Sequence, residues 1–168
     1  MIMPDKVTDF NVYTNNTKLV GITGEVTLPS LEALTSTVSG TGILGELETV
    51  NIGHFGSTTV ELTWKVLLDK TFNLLTYSGE ALILRGAIQR INNGKVDQIG
   101  VKITLKWMPK ALDMGKLAQN AQMESKNTLE VFYIKVEING KTTLELDKLN
   151  YVFKVNGKDQ LSAIKKLI

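Results

Sequence analysis

Residues 128–155 read TLEVFYIKVEINGKTTLELDKLNYVFKV, and this stretch decides the fold class. Phe132, Ile134, Val136 and Ile138 alternate with Tyr133, Lys135 and Glu137, a period of two that sends one set of side chains to a buried face and the other to water. Asn139-Gly140 comes next, the strongest short hairpin signal, because both central positions of a type I′ turn require positive φ. The return limb, Lys141 to Val155, again sets Leu144 and Leu146 against Thr143, Glu145 and Asp147. A second hairpin of the same kind lies upstream. Glu80 to Ile91 runs into Asn92-Asn93-Gly94-Lys95 and returns as Val96 to Met108, where Val101, Ile103, Leu105 and Trp107 alternate with Lys102, Thr104 and Lys106. Two long hairpins with one apolar face each predict a mainly β fold. The wet face of such strands meets bulk solvent or lines an aqueous channel, and the alternation is the same in both cases.

Working toward the amino end, Lys18 to Leu28 reads as a strand that bends at Gly21 and Gly24 and is stopped by Pro29. Ser30 then caps an expected helix through Val38, with Leu31, Leu34 and Val38 at helical spacing and Gly40 closing it, although Thr35, Ser36 and Thr37 weaken its second turn. Gly40-Thr41-Gly42-Ile43-Leu44-Gly45 lacks the Lys-Ser/Thr ending of a phosphate-binding loop and precedes a strand-like segment, so it reads as a turn. Ile43 to Ile52 and Ser57 to Leu67 look extended, with Gly53-His54-Phe55-Gly56 as the loop between them. Pro109 to Ser125 has no clear period and is read as a loop with a helical turn around Leu117 to Gln122. A short carboxyl-terminal helix is expected from Asp159 to Ile168, with Leu161, Ile164, Leu167 and Ile168 as its stripe and Lys165 and Lys166 near its end.

The 168 residues are enough for one domain with a real core, and the composition narrows the chemistry further. Nineteen Lys and Arg against 17 Asp and Glu leave +2, too small a surplus for a dedicated nucleic-acid binder. With no Cys and one His, disulfide scaffolds, zinc fingers and thiol nucleophiles are excluded, and any metal or triad chemistry within this chain must pass through His54. A lone loop histidine is more often a packing residue than a ligand, so no catalytic residue, no metal ligand and no cofactor site is assigned. No stretch approaches the roughly 18 apolar residues of a membrane span. Met1 to Phe10 carries Asp5, Lys6 and Asp9 in place of an apolar signal core, so a soluble product made in the cytoplasm is expected, without stable membrane insertion. Asn15-Asn16-Thr17 has the form of a glycosylation acceptor, a reading the missing signal leaves unsupported. Glu80 to Lys110 carries six positive residues against two negative, together with Trp107; a solvated strand face with a core tryptophan is preferred there over a strand-binding surface.

Taken in order, several segments resemble the major tail tube proteins of contractile-tailed bacteriophages and of the phage-derived R-type bacteriocins. They are Leu19-Val20-Gly21-Ile22-Thr23-Gly24-Glu25-Val26-Thr27-Leu28-Pro29, Ser39-Gly40-Thr41-Gly42-Ile43-Leu44-Gly45-Glu46, Gly53-His54-Phe55-Gly56-Ser57, Leu84-Arg85-Gly86-Ala87, and Phe153-Lys154-Val155-Asn156-Gly157-Lys158-Asp159-Gln160-Leu161. The match is nearly colinear from Pro4 to Ile168; Leu112 to Ser125 does not align with it.

The resemblance implies a β-sandwich or partial barrel with a flanking helix, a single tail-tube domain over residues 1–168, and a structural rather than enzymatic role. It further implies that six copies form a ring closed by an inner 24-strand barrel, and that rings stack into a hollow tube inside a contractile sheath. At about 4.8 Å between strands and a tilt near 40°, such a barrel has a backbone diameter of roughly 45 to 50 Å. The implied partners are further copies of the chain, the sheath protein, the baseplate and tail-terminator proteins, a tape-measure protein in the lumen, and DNA as passing cargo in a phage. The particle would be released on lysis. Thr41, Gly42, Ile43, Leu44, Gly45 and Glu46 become candidates for ring-to-ring contacts, along with the amino-terminal segment. Lys102, Thr104, Lys106, Tyr133, Lys135 and Glu137 become candidates for the lumen wall and ring contacts. The tube of a contractile secretion system and a monomeric β-rich binding module are the alternatives.

Overall fold

In the computed structural model, which describes residues 1–168 apart from the side chain of Thr23, strands dominate. In chain order they are β1 (Ile2–Thr14), β2 (Thr17–Lys18), β3 (Ile22–Thr27), β4 (Ala33–Ser39), β5 (Glu46–Phe55) and β6 (Thr59–Trp64). A short helix, α1 (Asp69–Asn73), precedes β7 (Ala81–Asn92), β8 (Lys95–Asp113), β9 (Ser125–Ile138), β10 (Lys141–Asp147), β11 (Val152–Val155), β12 (Lys158–Asp159) and α2 (Ser162–Lys165). The main sheet runs β12-β11-β10-β9-β8-β7-β1-β2, all pairs antiparallel. Both expected hairpins are present, and their turns are Asn93-Gly94 and Asn139-Gly140, with φ of 48° and 78° in the first and 51° and 78° in the second. Asn15-Asn16 and Asn156-Gly157 follow the same geometry. All four residues have positive φ, and the two pairs turn the chain between β1 and β2 and between β11 and β12.

The sheet branches at β9. Its first half, Ser125 to Glu130, pairs with β6 on the edge away from β8, and its second half, Tyr133 to Ile138, pairs with β10 on that same edge. β6 carries β3 in turn. Val60, Leu62 and Trp64 of β6 join Leu82, Leu84, Leu105, Trp107, Leu129 and Val131 in one core, and Ile22 and Val26 of β3 pack against it. The branch therefore folds back over the main sheet as the second layer of a sandwich that is open at one end. A buried polar link fixes that layer: Trp64 Nε1 donates to Asn127 Oδ1 at 2.7 Å, and Asn127 Nδ2 donates to the Thr71 carbonyl at 3.3 Å.

Several expectations are corrected. The flanking helix from Ser30 to Val38 is strand β4, because Thr35, Thr37 and Val38 are β-branched and pair with Val50, Glu48 and Leu47 of β5. The flanking helix that does exist is α1. The strand expected from Ile43 begins at Glu46, and His54 and Phe55, expected in a loop, end β5, where Ala33 pairs with Phe55. Lys18 belongs to β2 rather than to the strand that follows, which is β3 alone. The return limb of the second hairpin is broken into β10 and β11 by a turn at 148–151, which Asp147 caps by accepting from the Leu149 and Asn150 amides.

β8 runs on to Asp113 through the expected loop. Pro109 is tolerated there because β7 ends its pairing at Lys106, leaving an open edge that needs no proline donor. In place of a helical turn at Leu117 to Gln122 there is a single reverse turn, Ala121 N–H to Ala118 carbonyl. α2 is shorter than expected, and Asp159 serves it by accepting from the Leu161 amide and pairing with Lys165 at 3.1 Å.

Candidate assembly surface

Three features of this fold face outward. The first is the wet face of the main sheet. Cross-strand register aligns Tyr13, Ile83, Thr104, Lys135, Glu145 and Lys154 in one row, and Asn11, Arg85, Lys102 and Glu137 in the next. Lys106 and Tyr133 lie opposite each other in a third. The six hairpin residues singled out from sequence therefore share one face, while Ile103, Leu105, Ile134 and Val136 point to the core.

Four cations on that face, Arg85, Lys102, Lys106 and Lys135, have partners. Lys102 Nζ lies 3.9 Å and Lys135 Nζ 4.0 Å from Glu137 carboxylate oxygens. Lys106 Nζ sits 5.2 Å over the Tyr133 ring and the Arg85 guanidinium 5.8 Å over the Tyr13 ring, within cation–π range. Burial pushes the Tyr133 hydroxyl above its ordinary range, and the Glu145 carboxylate beside it adds to that shift. Lys102 and Lys106, on which the binding-module reading relied, thus each have a partner on this face.

The second feature is the β4–β5 arm. It forms a two-stranded sheet of its own, and at its root Gly56 N–H donates to the Glu32 carbonyl. At its tip, Gly40, Gly42 and Gly45 take positive φ and Ile43 N–H closes on the Gly40 carbonyl. Thr41 to Glu46 are all exposed, and Leu44 is fully so. An isolated two-stranded ribbon is marginal in water, and this one also exposes Leu34, Leu47, Val50 and Ile52.

The third feature, β1, has no counterpart among the strands expected from sequence. It pairs with β7 on one edge from Ile2 to Thr14, whereas β2 covers only Tyr13 and Thr14 on the other. Most of a 13-residue strand thus presents an open edge of backbone donors and acceptors. Its sequence signal is weak because Pro4 and two register shifts, at Pro4/Lys6 and Val7/Asp9, break the period of two.

Among the described residues, no group of three His, Cys, Asp or Glu is arranged to hold a metal ion. His54 is exposed at the end of β5. The surface offers open strand edges, an apolar ribbon and a hydrated face on which cations outnumber carboxylates.

A family model described as phage tail tube protein FII matches residues 4–168. The tail tube protein of Escherichia phage P2 is 29% identical over 167 residues, covering 96% of this chain and 95% of that protein. Among solved structures, the chain is similar to a chain of the 6-fold symmetrised cryo-EM structure of the anti-feeding prophage baseplate, with 19% identity, a TM-score of 0.42, and coverage of 78% of this chain and 91% of that one. It is also similar to a crystal structure of Hcp protein, with 10% identity, a TM-score of 0.33, and coverage of 79% and 91%.

Proposed function

The chain belongs to the phage tail tube protein FII family, a structural family and not an enzymatic one, and from that membership we propose that it forms six-fold rings that stack into the hollow inner tube of a contractile tail or tail-like bacteriocin. The observation that carries this reading is the family match over residues 4–168, nearly the whole chain. The geometry supports it in a specific way. A sheet with one apolar face, one hydrated face and a long open edge at β1 suits closure with neighbouring copies into a barrel, which removes the edge. The hydrated face, with Lys102, Thr104, Lys106, Tyr133, Lys135 and Glu137, becomes the lumen wall. The exposed arm tip, Thr41 to Glu46, becomes a ring-to-ring contact.

In this reading the mechanism is mechanical. The tube is a rigid conduit driven through an envelope when the sheath contracts, with the baseplate and terminator proteins at its ends and a tape-measure protein or DNA inside it. Electron microscopy of the purified chain tests it: six-fold rings or stacked tubes are expected, and light scattering that shows monomer alone across a wide concentration range would overturn it.

A further inference from the structure

Asn-Gly-Lys occurs three times, at 93–95, 139–141 and 156–158, each time at the tip of a hairpin. An asparagine before glycine carries a chemical liability, because the glycine nitrogen, unshielded by a Cβ on its own residue, can attack the asparagine side-chain amide. The three copies share the glycine and lysine that follow, and they share their local geometry. Asn93, Asn139 and Asn156 have φ of 48°, 51° and 50°, and the glycines after them 78°, 78° and 79°.

That geometry protects all three. In the left-handed conformation Cβ lies beside the carbonyl oxygen that follows it, and so on the side of the Cα–C bond away from the next nitrogen. The five-membered ring cannot close until the turn opens and that bond rotates. Since the three turns start from one conformation, their rates differ by what opening costs, and the strands around each tip set that cost.

Around Asn93 the ladder is long: β7 and β8 pair without a break from Ala81–Lys106 to Asn92–Lys95, and β1 backs β7. Around Asn139 both limbs lie inside the sheet, with β8 beside β9 and β11 beside β10, and the Asn139 amide donates to the Gly100 carbonyl at 2.8 Å. Asn156 is placed differently. β12 is the edge of the main sheet, and only Lys154–Asp159 and Val155–Lys158 pair across the turn. Bonds from the Asn156 amide to the Thr143 carbonyl and from the Gln160 amide to the Phe153 carbonyl complete its attachment, and the next buried anchor is Leu161. Residues 156–160 can therefore open as a short flap while the core stays closed.

We propose that Asn156 is a spontaneous modification site of the folded chain, deamidating ahead of Asn93 and Asn139 through opening of the β11–β12 turn. The Gly157 nitrogen forms a bond to Asn156 Cγ, the Cγ–Nδ2 bond breaks, and the Gly157 amide proton leaves with Nδ2 as ammonia. Water then opens the ring at either carbonyl. One product is aspartate; the other is isoaspartate, in which the main chain runs through Cβ and Cγ and gains a carbon. A two-residue turn with an extra backbone carbon cannot restore the pairing on both sides of it, so β12 is released and the outer edge of β11 is left open. Asp159 moves away with β12, giving up the bond from the Leu161 amide and the ion pair with Lys165.

This chemistry does not depend on the tube reading, and the unassembled chain reports it. The purified chain is held in mildly alkaline buffer, once folded and once in denaturant, and sampled over weeks. Trypsin cuts after each of the three Asn-Gly-Lys lysines, so the sites fall on separate peptides whose amide and acid forms mass spectrometry resolves. Labelling with an isoaspartyl methyltransferase identifies the rearranged product. In denaturant the three sites should react at similar rates; in the folded chain Asn156 should react at least about tenfold faster than either of the others. A folded chain in which Asn156 reacts no faster than Asn93 or Asn139, or in which none of the three reacts while the denatured chain does, would overturn the proposal. In chains converted to isoaspartate at 156, amide exchange should rise across 152–160 and stay unchanged in β7 to β9. Unchanged exchange at 152–160 would show that β12 is not released.

Discussion

Val131 and Ile134, three residues apart in one strand, both point into the core. Lys106 pairs with Tyr133 while its neighbour Trp107 pairs with Val131, so Phe132 is the extra residue of a β-bulge. Ser125, Asn127, Leu129 and Val131 are buried before it, and Ile134 is buried after it with Val136 packed behind. The bulge lets one strand serve β6 with one parity and β10 with the other.

Deleting Phe132 should therefore be tolerated far better than deleting Ile134. Without Phe132, Val131 and Tyr133 become neighbours opposite Trp107 and Lys106, and Ile134 and Val136 keep facing the core. Without Ile134, the rest of β9 would either lose register with β8 or send Lys135 and Glu137 into the core. Insoluble or unfolded protein is expected from the Ile134 deletion and a folded chain by circular dichroism from the Phe132 deletion. A folded, soluble chain lacking Ile134 would show that the alternation along β9 does not set its register.

Lys148 is a half-buried brace disguised as a surface lysine. Its Nζ donates to the Gly56 carbonyl at 2.8 Å and to Thr58 Oγ1 at 3.0 Å, while Thr58 Oγ1 donates to the Val131 carbonyl at 2.6 Å. The turn after β10 is thereby tied to the connection between β5 and β6. Lys148→Met keeps the stem and removes the charge-assisted bonds, so a loss of about 1.5–3 kcal/mol is expected in chemical denaturation. A loss below about 0.5 kcal/mol, the usual range of surface substitutions, would mean that water replaces the ammonium at no cost.

Acid sensitivity follows from two carboxylates. At Glu130 burial alone would raise the pKa, but bonds from Ser57 and Thr58 and the nearby Lys110 ammonium outweigh it and hold the group below its ordinary value. At Asp147 burial is likewise outweighed, by Asn150 first and Leu149 after it, and the group again lies below its ordinary value. A folded pKa lower than the unfolded one gives stability that is fully present above the unfolded value and is lost as pH falls through the folded one. Their contribution to Tm should accordingly be flat down to about pH 5 and decline below it. The gap between wild type and Asp147→Asn should narrow over the same interval; a gap that widened on acidification would reverse the assignment.

The two long hairpins are legible in the sequence because each states its structure twice, once in the alternation and once in the Asn-Gly turn. Asn15-Asn16 makes the same kind of turn, yet β1 before it is hidden by Pro4 and its bulges. The arm misleads for a related reason. Leu31, Leu34 and Val38 mimic a helical stripe, but Leu34 and Val38 are exposed, so the spacing does not record a buried face. Parity alone places the six hairpin residues on one face, since the bulge at Phe132 shifts the alternation only before Tyr133. The cleft lined by Val7, Phe10, Val26 and Leu28 is invisible in the sequence, because it lies between β3 and the β1–β7 pair and depends on contacts distant along the chain.

Glu137 sets how much unpaired positive charge the hydrated face carries. It stands between Lys102 and Lys135 at 3.9 and 4.0 Å, distances at which a partly exposed ion pair contributes at most about 1 kcal/mol to folding. Glu137→Gln should for that reason leave Tm nearly unchanged while releasing two ammonium groups beside Arg85 and Lys106. DNA binding by the wild-type subunit is expected to be weak and independent of sequence, because the chain carries a net +2 and four cations of this face have partners. Each phosphate neutralised steepens the dependence of log K on log salt by about 0.9 for duplex DNA, so the variant should bind more tightly at low salt with a slope steeper by up to about 2. Fluorescence anisotropy with a labelled duplex, titrated across salt concentrations below the assembly threshold, reads both quantities. An unchanged slope would show that Lys102 and Lys135 do not meet the phosphates, and that the DNA contacts, where there are any, lie on another face.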